Sequence, residues 1–290
     1  MIVSASRRTD LPAAYAPWLR RRIREGRARV RHPFRPSVVR EVDLRPAPRG
    51  AMDALVLWTR NPGPLLDDLP GWERDGIRTL WLVTVTGYPR ALEPAAPPTE
   101  DAIRAVERLA RLVGPGRVAW RYDPVLVVPG LGLDPRWHRE NFGRLAARLA
   151  RHVDHAIVSW YDPYRAAGRR LARAGLEPVE EDIEELAAAL AEVARGAGLP
   201  LQSCCEPLEA AGIPAGACID ENWIHRVWGL PVTGRRDPGQ RNGCRCAPSV
   251  DIGAYDTCPH GCLYCYATRS PDRAAAFRAR HDPGTEVLAP

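Results

Sequence analysis

VDIGAYDTCPHGCLYC, residues 250–265, runs from an apolar, strand-like opening straight into three cysteines. The same order, a short buried strand and then a polar or reactive loop, recurs along the chain. Strands are predicted at Ile2–Ala5, Ala54–Trp58, Thr79–Val85, Arg117–Tyr122, His155–Trp160, Leu199–Cys204 and Val250–Tyr255. The loops that follow the first six read SRRTD, WTRNP, VTGYP, WRYDP, SWYDPY and SCCEP. Helical patterns lie between them, at Ala14–Glu25, Thr99–Leu112, Arg136–Arg151, Glu180–Arg195 and Glu221–Trp228. In the segment from Thr99, a capping threonine, acidic first-turn residues, spaced apolar positions and a stop at Gly114 all agree. Nearly continuous apolar strands alternating with helices predict an α/β fold with a parallel sheet. The expectation is a single (β/α) barrel-like domain over 1–290, a partial TIM-type barrel. In such a barrel the strand ends form one face, where the chemistry gathers. Turn preference explains the Asp-Pro pairs, but not the Arg, Tyr and Trp beside them.

Composition narrows the class. The 290 residues are 45% hydrophobic, enough for a substantial core. The net charge is +6, and every one of the 41 basic residues is arginine. That exclusion of lysine reads as codon bias, so the charge is weak evidence for nucleic acid. The densest basic run, Arg20–His32, and the acidic run from Glu180 read as solvated helix faces. LEPAAPPT, near Leu92, reads as a surface loop. No apolar stretch approaches the length of a membrane span, and no signal segment opens the chain. A cytoplasmic location is expected, where thiols stay reduced and clustered cysteines point to metal or redox chemistry.

Cys258, Cys262 and Cys265 have the spacing CxxxCxxC. Three thiolates on one loop can hold three irons of a [4Fe–4S] cluster and leave the fourth open to a ligand. Zinc is the competing reading, with His260 inside the loop as a fourth donor.

CPHGCLYC, with an aromatic Tyr264 before the last cysteine, resembles the radical S-adenosylmethionine superfamily, and YDTCPHGCLYCYA is similar to the cluster loops of its spore-photoproduct-lyase-like members. The chain from VSASRRTDLPA through WTRNP and WRYDP also resembles a bacterial family of unknown function, domain of unknown function 1848. The first resemblance implies that Cys258, Cys262 and Cys265 ligate a [4Fe–4S] cluster and that Tyr264 lies near the adenine of S-adenosylmethionine. It implies reductive cleavage of that cofactor to a 5′-deoxyadenosyl radical, fed by a reductant protein such as a flavodoxin or ferredoxin. The cofactor then carries the hard chemistry and the protein orients it. In most of the superfamily the loop follows the first strand. Its C-terminal place here suggests a circular permutation, which predicts that Val250–Tyr255 pairs in parallel with Ile2–Ala5. The superfamily's glycine-rich cofactor motif is missing, with SRRTD in its place.

Five cysteines remain, in and around a possible lobe at 205–249; the cluster strand and loop occupy 250–268. Four of the five, Cys204, Cys218, Cys244 and Cys246, suit an auxiliary [4Fe–4S] cluster or a structural zinc. Cys204 is preferred to Cys205 because the resembling family implies SC-x-E. Buried structural thiols are the plainer reading of Cys204 and Cys218.

Arg7 and Arg8 suit a forked grip on a carboxylate or phosphate, while Asp10 reads as a helix cap. Arg60 with Asn61, Arg121 beside Trp120 and Tyr122, and Glu206 are further polar candidates at strand ends. For Glu206, a turn residue salt-bridged to arginine is the reading preferred to a proton-transfer group. Trp160, Tyr161 and Tyr164 suit either stacking on a planar cofactor or core packing. The histidines form no catalytic set; His260 alone has a specific place, as a hydrogen-bond tuner of the cluster. The expected function is reductive S-adenosylmethionine chemistry on an unidentified substrate. The alternative is a zinc-stabilised nucleic-acid-binding or repair-associated protein.

Overall fold

The computed structural model describes residues 1–179 and 183–289. The chain opens with β1 (Ile2–Ala5), α1 (Leu11–Ala14) and α2 (Ala16–Glu25), then a hairpin of β2 (Arg27–His32) and β3 (Arg35–Asp43). Next come β4 (Ala54–Thr59), α3 (Leu69–Arg74), β5 (Thr79–Thr84), α4 (Thr99–Val113) and β6 (Val118–Val125). After these follow α5 (Pro135–Leu149), β7 (His155–Trp160), α6 (Arg165–Arg173), α7 (Ile183–Gly196) and β8 (Leu201–Ser203). The last elements are α8 (Glu221–Trp228), β9 (Ser249–Asp251) and α9 (Pro271–Arg280).

Seven strands form one parallel sheet in the order β8-β7-β6-β5-β4-β1-β9. The last strand in sequence therefore lies beside the first, with Val3 opposite Val250 and Ser4 opposite Asp251. That is the parallel pairing expected for residues 250–255 and 2–5, in a strand that ends sooner. The sheet stays open, with β8 and β9 as its edges among the described residues, so the TIM-type barrel is not closed.

Both faces of the sheet are buried, because β4 and β5 are apolar at nearly every position. On one face Leu55, Leu57, Trp81, Val83, Trp120 and Tyr122 join a core with Val106 and Leu109 of α4, Phe142 of α5 and Leu190 of α7. On the other, Val56, Leu80, Leu82, Ala119 and Ile157 pack against Ala217, Ile219, Trp223, Ile224 and Ala247. The irregular cysteine-bearing segment thus covers the face that a closed barrel would enclose. Trp223 fixes it there by donating its indole N–H to the Gly116 carbonyl at 2.7 Å. Burying Ile224 alone contributes about 1.5–3 kcal/mol.

Two expectations change. The Arg20–His32 run is not one helix: Gly26, left-handed at φ 70°, ends α2, and β2 follows. Ala28 and Val30 then face inward while Arg27 and Arg29 pair with Glu286. Thr99 is the first residue of α4 and makes no capping bond, although Gly114 ends the helix as expected. Of the acidic run, residues 180–182 lie outside the described residues, and α7 begins at Ile183.

His138 on α5 is fully buried, with Nε2 at 3.2 Å from the Leu126 carbonyl and Nδ1 at 2.8 Å from the Tyr122 hydroxyl. With Nε2 donating to the carbonyl, Nδ1 is left to accept from the tyrosine. Burial therefore pushes the imidazole down from 6.5 to about 4. Its stabilisation is whole above pH 6.5 and is lost as pH falls through 4. The full effect is roughly 3 kcal/mol. Melting temperatures across this window should fall steeply for the wild type and more gently for His138→Gln.

Candidate metal centre

The strand ends open into one cavity of about 510 Å³, and all eight cysteines line it. Two routes bring them there. Cys258, Cys262 and Cys265 follow β9, whereas Cys204 and Cys205 follow β8. Cys218, Cys244 and Cys246 arrive on the segment that covers the inner sheet face.

The loop after β9 is clamped from every side. Tyr15 on the α1–α2 junction donates to the Thr257 carbonyl at 2.6 Å. The Ala95 N–H donates to the His260 carbonyl at 3.1 Å, and Leu263 N–H donates to Leu92 at 3.0 Å. Arg170 of α6 holds the Leu263 carbonyl at 3.1 Å and also the Cys265 carbonyl. Tyr264 is buried edge-on to Tyr88, and its hydroxyl meets both Arg60 and Glu93. Arg60 and Glu93 form a forked ion pair at 2.8 and 2.9 Å, and Thr86 donates to the same carboxylate at 2.7 Å. Leu92 and Glu93, expected on a surface loop, are buried.

Asp10 is a hub as well as a cap. It accepts from Ala13 N–H at the start of α1, from the Thr59 hydroxyl and Arg60 N–H after β4, and from His260 Nε2 at 2.8 Å. His260 is thus occupied by Asp10 and, at Nδ1, by the Ala95 carbonyl. It acts as a strut between the cysteine loop and the sheet.

Asp251 organises the β1–β9 end in the same way, accepting from Ser4, Ser6, Arg7 N–H and Gly253 N–H at 2.7–2.9 Å. A Cβ on Gly253 would stand 2.0 Å from Ser6 Oγ, so glycine is required for that approach. Arg7 donates to Ser249 at 3.1 Å, lies 3.7 Å from Asp237 and sits over Trp58. Arg8 lies over Tyr255. Arg121 stacks on Trp58 at 4.7 Å and pairs with Asp123. Its neighbours Trp120 and Tyr122 turn to the helix-covered core, as strand alternation requires.

Glu206 accepts from Ser159 and Trp160 N–H and faces Arg241 at 3.5 Å. Burial pushes its carboxyl up to about 7, against those hydrogen bonds. Trp160, Tyr161 and Tyr164 line the cavity wall.

The two thiol sets differ in geometry. Among the described residues no hydrogen bond joins Cys258, Cys262 and Cys265 to one another. Burial pushes Cys258 up to about 12, although backbone N–H groups of His260 and Asp10 point at its sulfur. Burial also raises Cys262. Cys265 accepts from Ala267 N–H at 3.3 Å. The other five thiols neighbour one another in a ring, Cys204–Cys205–Cys244–Cys246–Cys218, with Cys204 Sγ 3.9 Å from Cys205 Sγ and 3.5 Å from Cys218 Sγ. The neighbouring thiols of Cys218 and Cys244, with Arg7 and the Ile219 N–H at 3.4 Å, push the Cys246 thiol down. Among the described residues no group of three or more His, Cys, Asp or Glu side chains is closed up around a single-ion position.

Residues 2–267 match the family described as Domain of unknown function (DUF1848). The chain belongs to that family. No curated protein matches it. The DUF1848 match spans both thiol sets and every strand of the sheet. Sequence reasoning had brought most of this site together, but it passed over Glu93, Arg170, Asp251 and Arg241 and set Cys205 aside for Cys204. Only the tandem cysteine carried a local signal. The others take their roles from partners 33 to 247 residues away in the chain.

Proposed function

We propose that this chain is an iron–sulfur enzyme in which Cys258, Cys262 and Cys265 hold a [4Fe–4S] cluster with one open iron for S-adenosylmethionine. The observation that carries the reading is the separation of three thiols, one buried and two half-buried, on one clamped loop, all facing one cavity. Zinc thiolates, each about 2.3 Å from the ion, stand about 3.8 Å apart and would touch one another. A cluster attaches each thiolate to a different iron and keeps them apart. Together the bound groups would supply reductive carbon–sulfur cleavage and the radical that attacks substrate. The strand order, with β9 beside β1, fits a circularly permuted partial barrel of the superfamily that the loop resembles.

The chain's own residues hold the loop and shape the space. Arg60, Glu93 and Tyr264 fix the loop's inner side, and Arg170 fixes its outer side. Tyr264 also lines the cavity, beside the space where an adenine would lie. Arg7, Arg8, Arg60, Arg121 and Arg241 line the cavity wall, so a substrate with acceptor groups suits it. A reductant protein such as a flavodoxin or ferredoxin would deliver the electron. The arginine-dense run gives the nucleic-acid alternative little support, since Arg20, Arg21, Arg22, Arg27 and Arg29 are already ion-paired.

Electron paramagnetic resonance on anaerobically reconstituted, dithionite-reduced protein tests the reading. A [4Fe–4S]⁺ signal whose shape changes on adding S-adenosylmethionine is the expected result. A signal indifferent to the cofactor, or a protein that retains only zinc, would overturn it.

A further inference from the structure

The five-thiol ring makes no use of the loop after β9 and asks for its own explanation. Neighbouring residues of an extended chain point to opposite sides. Cys204 and Cys205 nevertheless both line the cavity. Cys205 is turned by a backbone φ of 78°, one of two non-glycine residues in the left-handed region among those described. Such a conformation costs on the order of 1–3 kcal/mol and persists where the surroundings hold it. Gly243 supplies the holding surface: a Cβ there would lie 2.6 Å from the Cys205 carbonyl. The chain thus keeps a non-glycine residue in a backbone conformation that favours glycine, and that residue is a cysteine facing the other thiols.

The surroundings of the ring are cationic. Arg7 and Arg121 face Cys246 and Cys218, and Arg241 faces Cys244. Arg121 Nε is buried without a partner among the described residues. A tetrathiolate bound to zinc or to an oxidised cluster carries excess negative charge, and Arg7, Arg121 and Arg241, each also paired with a carboxylate, offset part of that charge.

We infer that Cys204, Cys205, Cys218, Cys244 and Cys246 form a second thiolate site, separate from the β9 loop, that holds a thiophilic metal centre. Four thiolates ligate it, and Cys205 stands in the ring as a working member. The site joins the covering segment to β8 and closes the cavity floor. Its thiol count bears on the metal. The ring edges at Cys204 are 3.5 and 3.9 Å. Zinc takes four thiolates at ~2.3 Å, one fewer than the five thiols gathered here. Zinc therefore holds four around one ion with one standing aside, while an iron–sulfur cluster binds them on separate irons. Both centres use the same ligand chemistry, and metal content separates them.

The inference stands apart from the proposed function, and the test keeps them apart. The full chain carrying Cys258→Ala, Cys262→Ala and Cys265→Ala is isolated from zinc-supplemented culture and, in parallel, reconstituted anaerobically with iron and sulfide. The expected result is about one zinc per chain, or iron with matching acid-labile sulfide and visible absorption, depending on which centre the ring holds. Adding Cys218→Ala should lower that occupancy by about tenfold or more. Where Cys218→Ala does not fold, Cys205→Ser at its half-buried position is read instead, and release of the metal to a chelator should quicken. Three results would overturn the inference. One is a folded triple variant with neither metal. Another is occupancy untouched by Cys218→Ala. The third is a release rate unchanged by Cys205→Ser, which removes Cys205 from the site.

Discussion

Cys262→Ala protein, reconstituted with iron and sulfide, is expected to form no 5′-deoxyadenosine above background from S-adenosylmethionine and a low-potential reductant. The loop offers three thiols, and three irons of a site-differentiated cluster need them all. Cys262 is the most buried of the three, so no water or neighbouring thiol takes its place without moving the loop. The loop itself should stay where it is. Leu263 remains bonded to Leu92, Tyr264 to Arg60 and Glu93, and His260 to Asp10. Loss of activity with an unchanged thermal melt is therefore the signature of a lost ligand. Wild-type yields of 5′-deoxyadenosine would remove the cluster from this loop. Residual iron in the variant would report the five-thiol site, which the substitution leaves intact.

The sheet was legible because its strands are buried on both faces and so read as unbroken apolar runs, as in ALVLWT and TLWLVT. The loop after β9 was legible because three cysteines at fixed spacing are a local signal. Even the β1–β9 pairing followed from one displaced motif. The hairpin of β2 and β3 was not. Its inward residues are only Ala28, Val30 and Val42, set among arginines that a helical reading scatters equally well. Gly26 was the one cue to a break.

The buried ion pairs were illegible for a different reason. Glu93 lies in a proline-rich stretch that looks exposed, and nothing near it in sequence announces Arg60. Cys205 was set aside because the resembling family implies SC-x-E, and an ordinary extended strand would also turn it away from Cys204. The backbone at φ 78° reverses that direction, and strain of this kind has no sequence pattern outside glycine. Coverage of the inner sheet face was equally hidden. The helix at Glu221–Trp228 was expected, but nothing near it in sequence says that Ile219, Trp223 and Ile224 cover the sheet.

Arg60→Met is expected to lower stability by about 3–5 kcal/mol, the cost of leaving a buried carboxylate without its cation. The side chains of Arg60 and Glu93 are 12% and 6% exposed, so solvent does little to compensate. Thr86 and the Tyr264 hydroxyl would still reach Glu93, but neither carries charge. At roughly 2–4 °C per kcal/mol for a chain of this class, the melting temperature should drop by about 10 °C. Glu93→Gln alone should cost less, since the amide oxygen still accepts from Arg60. The double variant Arg60→Met/Glu93→Gln should fall short of the summed losses by at least about 1 kcal/mol, because each change removes the other's burden. The pair also carries function, since it holds the β4 end, the loop after β5 and Tyr264 together. Weakened S-adenosylmethionine binding, read at a temperature where both proteins are folded, should accompany the loss of stability. Arg60→Met protein that melts like the wild type would show that the pair is solvated in solution, and that the cysteine loop is held by Asp10, His260 and Arg170 without it.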